Sequence, residues 1–417
     1  MKHPVSVVIA GAGNRGAGYA EFAVQYPGRM KVVGVAEPRE HHREKLASRC
    51  GVPRENVFSD WREMAARERF ADAVIIATQD AMHEEPAVQF AQKKYDILLE
   101  KPMAPTEEAC RNIVQAVKQN GVLFGVCHVL RYTQSTRTLK RMITEGKIGG
   151  VVSLSRVEPV GYWHQAHSFV RGNWRNEAES SFMLLAKSCH DLDWIRHVMD
   201  WPCHRVASFG SLKHFRREEQ PKAAADRCLE CGVEANCPYS AKKIYMGFYS
   251  KGHRGWPLDV LVDKVDEAHL LEALRTGPYG CCVYACDNDV VDNQAVIMEF
   301  EGGRTATFVM TAFTKAEDRR TQIYGTHGEI LSNGPILKWH DFQTDKTTEI
   351  DTNASEMNVM GGHGGGDHGI MDCFIRAVAE QDPSHVLSGP DETLESHLMV
   401  FAAERARLNG SVETVHV

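Results

Sequence analysis

The stretch AKSCHDLDW, residues 186–194, sets Lys187, His190, Asp191 and Asp193 among Met183, Leu184, Leu185, Leu192 and Ile195. An unpaired charge inside an apolar helix costs several kcal/mol, so four such residues in seven positions need an explanation. On a helix, Lys187, His190, Asp191 and Trp194 fall at i, i+3, i+4 and i+7 and share one face. Asp193 lies off that stripe, suited to a cap or an interdomain pair. One reading is a solvated polar face on an ordinary amphipathic helix. The chemical reading is acid–base work: an imidazole with a pKa of about 6.5 exchanges protons near neutrality. His190 is then the candidate base, and Lys187 the group that polarises a hydroxyl. Lys101, in EKPMAPT, is a second candidate. It stands either as half of a charged pair ahead of a strand-ending proline, or at a sheet's carboxyl edge where it could move a proton.

Upstream, VSVVIA (residues 5–10) runs into GAGNRG, whose Gly11, Gly13 and Gly16 match G-x-G-x-x-G ahead of a helical stretch. Such glycines allow a tight turn, close approach of a pyrophosphate and close helix–strand packing, with phosphate at the helix N-terminus. A plain glycine-rich turn gives the same letters. The context favours the nucleotide: MKVVGVAEP ends on Glu37, about 20 residues past the last glycine, where a carboxylate accepts ribose hydroxyls and repels a 2′-phosphate. NAD is therefore expected before NADP, with Arg39 softening the preference. Asn14, Arg15, Thr78, His83, Glu100 and Lys101 complete the expected cofactor contacts. For His83, a place in the first turn of a helix is the competing role.

The segment GYWHQAHSFVRGNWRN (161–176) gathers Trp163, His164, His167, Arg171 and Trp174. Ring planes beside hydrogen-bonding groups suit a sugar, although a polar surface loop would also carry them. His363, with Asp367 in GGHGGGDHG, suits a substrate lip, and Asp367 equally suits a helix cap. CLECGVEANC places Cys228, Cys231 and Cys237 at C-x2-C-x5-C, and Cys282 and Cys286 follow in CCVYACDND. Two thiolates so spaced reach one tetrahedral ion and later cysteines can close the site, so a structural zinc is expected to pin the 210–290 excursion. Reduced thiols, a redox dithiol and an iron–sulfur cluster are the alternatives.

The elements that must position these residues read clearly in the first third. Apolar runs at 72–78, 96–102 and 122–128 alternate with helical stretches at 83–94 and 106–119, which predicts a doubly wound parallel sheet. From about residue 150 the pattern turns strand-rich. DVVDNQAVIMEFEGGRTATFVMTAFT reads as a hairpin turning at Gly302-Gly303, DRRTQIYGTHGEILSN as a strand pair, and 391–408 as a final helix. At 417 residues two domains are expected, 1–128 and 129–417, the second carrying the 210–290 insertion. A net charge of −7 without a basic run argues against nucleic acid. MKHPVSVVIAGAG shows no signal-peptide block and no apolar run has spanning length, so a cytosolic protein without a membrane partner is expected.

GAGNRG, Glu37, EKP at 100–102, HVLRY at 128–132 and the histidine-bearing helix at 183–199 together resemble the Gfo/Idh/MocA family (glucose-fructose oxidoreductase, inositol dehydrogenase), in a branch with a cysteine-rich insertion. The likeness implies an α/β protein. A Rossmann domain would be followed by an α/β domain with a large, mainly antiparallel sheet that is commonly the oligomer interface, hence a homo-oligomer, dimer or tetramer. It implies NAD(P)-dependent oxidation of a sugar, glycoside or cyclitol hydroxyl, with Lys101 and His190 in the family's lysine and histidine positions. Arg131, Tyr132 and Asp191 join the substrate candidates. The family's aspartate four residues before the histidine is Ala186 here, with Lys187 beside the gap. That departure leaves two alternatives to a dehydrogenase forming, for example, a 3-keto sugar. One is a redox-neutral glycosidase working by oxidation, elimination and re-reduction; the other is a non-catalytic nucleotide-dependent sensor.

Overall fold

The computed structural model describes residues 3–354 and 363–416, the side chains of Ala354 and His363 excepted. Strands β1 (Val5–Ala10), β2 (Met30–Ala36), β3 (Val57–Phe58), β4 (Ala73–Ile76), β5 (Asp96–Leu99) and β6 (Phe124–Val126) form a sheet of order β3-β2-β1-β4-β5-β6. Every neighbouring pair in it is parallel. The strands read as continuous apolar runs because both faces are covered. Val8 and Ala10 of β1 pack with Trp61 and Phe90 on one side. Val7 and Ile9 pack with Tyr19 and Phe22 on the other.

The second sheet contains β7 (Val151–Pro159), β8 (Cys203–Ser211), β9 (Asn293–Phe300), β10 (Arg304–Thr311), β11 (Arg320–Gly325), β12 (Gly328–Asn333), β13 (Ile336–Asp341), β14 (Lys346–Asp351) and β15 (Val412–Thr414). Its order is β14-β13-β12-β11-β7-β10-β9-β8-β15. All its pairings are antiparallel except β7 with β10. Alternation in NQAVIMEF turns Val296, Met298 and Phe300 into the core, against the helices Met183–Met199 and Pro390–Asn409, and Ala295 and Ile297 outward. The Gly302-Gly303 turn joins β9 to β10 as its residue types predict, both glycines at φ 74°.

Two features depart from the sequence reading. The helix Gly366–Glu380 crosses back, and its Ile370, Met371 and Phe374 pack on Val7, Ile9, Tyr19 and Phe22. The first sheet thus owes one cover to chain far beyond residue 128. The insertion folds around its own small core, in which Phe215, Tyr239, Tyr245, Leu270 and Tyr284 meet Ala166 and Val170. Those last two belong to a wide helical turn, Gln165–Arg171, every residue of which is buried, where a surface loop was one expectation.

Candidate active site

A cavity of about 480 Å3 opens where the carboxyl ends of β4 and β5 face the helix Met183–Met199. Thr78, Glu100, Lys101, His164, Trp174, Lys187 and His190 line it, with Arg15 from the glycine turn. Sheets of this kind bind ligands beyond their strands' carboxyl ends.

The glycine turn fits a dinucleotide. At Gly11, with φ 97°, an added Cβ would meet the Ala77 carbonyl oxygen at 2.4 Å, and at Gly16 it would meet that of Gly11 at 1.9 Å. The turn and its packing therefore require glycine. Gly13 precedes the helix that Asn14 starts and makes no side-chain cap, leaving that helix's first N–H groups for an anion. Glu37 follows β2, buried, and accepts hydrogen bonds from the Ala12 N–H (2.8 Å) and Arg39 Nε (2.7 Å). Burial would raise the Glu37 carboxyl, but Arg39 and the backbone N–H groups outweigh it and hold it ionised, as a ribose acceptor needs. Arg15 is anchored to Glu100 (2.5 Å) and to Asp367 (2.7 Å) at the start of the returning helix. Burial pushes Glu100 up, and Arg15, Tyr19 and Lys101 overcome it.

On the opposite wall Lys101 Nζ donates to the Ala186 carbonyl at 2.8 Å, tying the end of β5 to the helix whose charged face prompted the chemical reading. That face is not solvated. Lys187 pairs with Glu158 of β7 at 3.0 Å, and Arg319 reaches Glu158 (2.9 Å) and Asp191 (2.6 Å). An Arg319 Nη2 N–H donates to His190 Nε2 at 2.7 Å, so that nitrogen is the acceptor. Asp191 is fully buried and also accepts from Arg156 Nε at 3.0 Å. Burial opposes its ionisation, and the two guanidiniums prevail. His164, on the cavity rim, is held neutral by burial and then by Lys187, His167, Arg319 and Lys101, which push its pKa well below the usual value.

Several expected contacts lie elsewhere. Asp191 is shut behind Arg319. Arg131 is wholly buried, both its fork nitrogens on Asp193 at 2.7 Å and its remaining nitrogen on Glu392. Tyr132 is buried against Ser388. His83 is buried between the carbonyls of Pro102 and Thr78 and orders the strand ends instead of facing the cavity. Trp163 packs on Phe248 and Trp256, and His167 on Tyr245 and Tyr279. Arg171 is buried in the insertion, donating to the Cys281 and Tyr239 carbonyls. His363, expected on the substrate, has its side chain outside the described residues. The zinc centre expected at Cys228, Cys231, Cys237, Cys282 and Cys286 is not preformed: among the described residues no three His, Cys, Asp or Glu side chains are drawn together as a metal-holding group. Glu158, Arg156 and Arg319 escaped the sequence reading, since nothing in their local sequence marks them. Asp80, whose carboxyl lines the cavity and is raised chiefly by burial, escaped it too.

The buried histidines set an acid limit. Burial lowers His128 to about 3, His197 to about 3 and His167 to about 4. Because the folded pKa lies below the unfolded one, their contribution is fully present above the ordinary histidine value and is lost as pH falls beneath it. Urea unfolding should therefore weaken from about pH 6.5 downward, by about 2 kcal/mol per histidine by about pH 5. Unchanged stability across that window would contradict the buried, neutral placement.

The sequence matches two family models. Residues 5–128 fit the oxidoreductase family's NAD-binding Rossmann fold, and residues 140–416 fit its C-terminal alpha/beta domain. The chain belongs to the GFO_IDH_MocA oxidoreductase family. It is thus an NAD-dependent oxidoreductase by class, and the sensor alternative falls away. Among its relatives, the putative oxidoreductase YteT of Bacillus subtilis is 25% identical over 73% of this chain and 72% of that protein. The 2,7-anhydro-N-acetylneuraminate hydratase of Escherichia coli is 26% identical over 46% of this chain and 48% of its own length. A levoglucosan dehydrogenase solved with NADH and levoglucosan shares the fold over the full length of both chains, with a TM-score of 0.72 at 19% identity. No helix among the described residues is long and apolar enough to cross a membrane.

Proposed function

We propose that this enzyme oxidises a hydroxyl of a sugar or glycoside, using NAD in preference to NADP, in the cavity between Lys101 and the helix Met183–Met199. The observation that carries the reading is the convergence of Lys101, Lys187 and His190 on one cavity, across from the glycine turn and beside Trp174. Bound NAD would supply the hydride acceptor. Glu37 would hold its ribose and disfavour a 2′-phosphate, and the N-terminus of helix Asn14–Gln25 would take the pyrophosphate.

The protein's own share is the proton. His190 Nε2 already accepts from Arg319, and while it does so it cannot also take a hydroxyl proton. Lys101 Nζ, which among the described residues meets a backbone carbonyl, would be the group to accept it as the free amine, since an ammonium has no lone pair. His190, held by Arg319, would orient the hydroxyl, and Lys187, clamped by Glu158, would polarise its oxygen. Trp174 and His164 would contact the sugar.

A second reading is redox-neutral cleavage or hydration, in which oxidation acidifies a neighbouring C–H, a group is eliminated, and the hydride returns. Ala186, in place of a carboxylate, and a relative named for hydratase activity favour it. The test is a panel of sugars and aryl glycosides with NAD, following reduced nicotinamide and released aglycone together. Accumulating reduced cofactor supports the dehydrogenase; aglycone release at catalytic NAD supports the second reading; neither, across the panel, defeats both.

The proposed partner of the open sheet face is a second copy of the chain. Phe209, Ile297, Val309, Tyr324 and Leu331, from five strands, point outward, with Phe209 at 70% and Ile297 at 54% exposure. Sedimentation should give a dimer or tetramer, and Ile297→Glu should shift it toward monomer. A monomer at micromolar concentration in the unaltered protein would refute it.

A further inference from the structure

The cysteine-rich insertion encloses a second, far smaller cavity of about 20 Å3, walled by Cys228, Cys231, Cys237, Cys282 and Arg171. Arg171 is 2% exposed. Its Nε donates to the Cys281 carbonyl (2.8 Å), and its Nη2 to the Tyr239 carbonyl (2.8 Å) and to Cys228 Sγ (3.5 Å). Its Nη1 is buried with no hydrogen-bond partner, and the Glu234 carboxylate, which lines the same cavity, accepts instead from the Ser240 hydroxyl. A guanidinium is always charged, and a buried one without a counter-ion is strongly unfavourable. The other buried arginines among the described residues meet that requirement with a carboxylate: Arg131 with Asp193 and Arg156 with Asp191. Arg171 faces sulfur instead.

We propose that Cys228, Cys231, Cys237 and Cys282 bind one divalent zinc-class cation as thiolates, with Arg171 as the counter-ion of the resulting anionic centre. Four thiolates and one divalent ion carry a net charge of −2, which supplies the negative partner the guanidinium lacks. The cavity admits about one water-sized sphere, which suits a single ion. The four thiols surround this space without being closed upon it. Tetrahedral binding at about 2.3 Å draws them inward, and Cys231 and Cys237, on a loop and partly exposed, are the two free to move. Cys286 is not a ligand: it lies off the cavity, its thiol donating to the Cys282 carbonyl at 3.3 Å. Cys281 is held against Arg227 and is likewise outside. Because Arg171 ends the turn Gln165–Arg171, whose Ser168 and Phe169 line the large cavity, the ion would pin the insertion to that cavity's wall.

The test is metal analysis of the full-length protein purified without added metal or chelator. About one zinc per chain is expected, and cobalt exchanged into the protein should show the thiolate-to-metal absorption of a tetrathiolate site. Cys231→Ser with Cys237→Ser should lose the metal, whereas Cys286→Ser should keep it. Arg171→Met should release zinc to a chromophoric chelator about tenfold faster. Metal-free protein, iron at several atoms per chain, or zinc retained by the double serine variant would overturn the proposal. The analysis of the unaltered protein decides even if a variant fails to fold, and none of these readings depends on which hydroxyl the enzyme oxidises.

Discussion

Lys101→Met should lower turnover by about a thousandfold while leaving NAD affinity within about twofold, the size expected for removing a group that transfers the proton. The lysine stands where the nucleotide-binding sheet meets the substrate wall, and among the described residues its Nζ donates to the Ala186 carbonyl. Methionine keeps the length and apolar stem of the side chain but can neither donate nor accept a proton. His190→Ala should have a different signature, because His190 is placed to orient the hydroxyl: a rise in KM accompanying the fall in kcat. Stopped-flow binding of NAD and steady-state rates on the same preparations separate the two. Near-normal turnover by Lys101→Met would remove Lys101 from proton transfer.

Asp193→Ala should destabilise the fold by about 3–5 kcal/mol, the usual effect of removing one partner from a buried ion pair. Asp193 and Arg131 are both 0% exposed, and the carboxylate also accepts from Ser396 at 2.9 Å. Burial raises the Asp193 carboxyl, yet Arg131 and His128 overcome this and hold it at about 2. Removing the carboxylate leaves the guanidinium dependent on Glu392, whose side chain is half-exposed. The double replacement Asp193→Leu with Arg131→Met, which takes both charges out, should recover much of the loss. Urea unfolding of the three variants measures this directly, and a loss below about 1 kcal/mol in the single variant would mean that the pair is not structurally important.

Asp193 also shows what was legible in the sequence and what was not. Spacing placed it off the Lys187–His190–Asp191 stripe, and it indeed faces the other way, into an ion pair with the segment after β6. The first sheet was readable because buried parallel strands are continuous apolar runs, and the glycine turn because backbone contact at Gly11 and Gly16 admits no side chain. Burial of polar residues was not readable. Arg131, Tyr132, His167 and Arg171 have the right types for sugar contact, but each sits in a network made by residues tens to hundreds of positions away. Arg319 was missed for the same reason: it precedes an ordinary strand, and the pairing of β11 with β7 brings it to Glu158, Asp191 and His190. The helix Gly366–Glu380 announced itself as a helix, but nothing in its sequence says which sheet it covers.

These placements give the helix's charges separate duties. Asp191 and Asp193 are structural anchors, one to Arg156 and Arg319, the other to Arg131, while Lys187 and His190 remain on the cavity. Glu158, reaching in from β7, pairs with Lys187 and with Arg319.

A hydride is expected to leave a carbinol carbon of the substrate within this cavity. The most direct measurement is a single turnover with enzyme and NAD in excess over a substrate deuterated at the oxidised carbon, followed by nicotinamide absorbance and mass analysis of the cofactor. A reduced nicotinamide carrying the deuterium is expected, lasting in a dehydrogenase and transient in a redox-neutral cleavage. Product formation with no reduced nicotinamide at any time would contradict it.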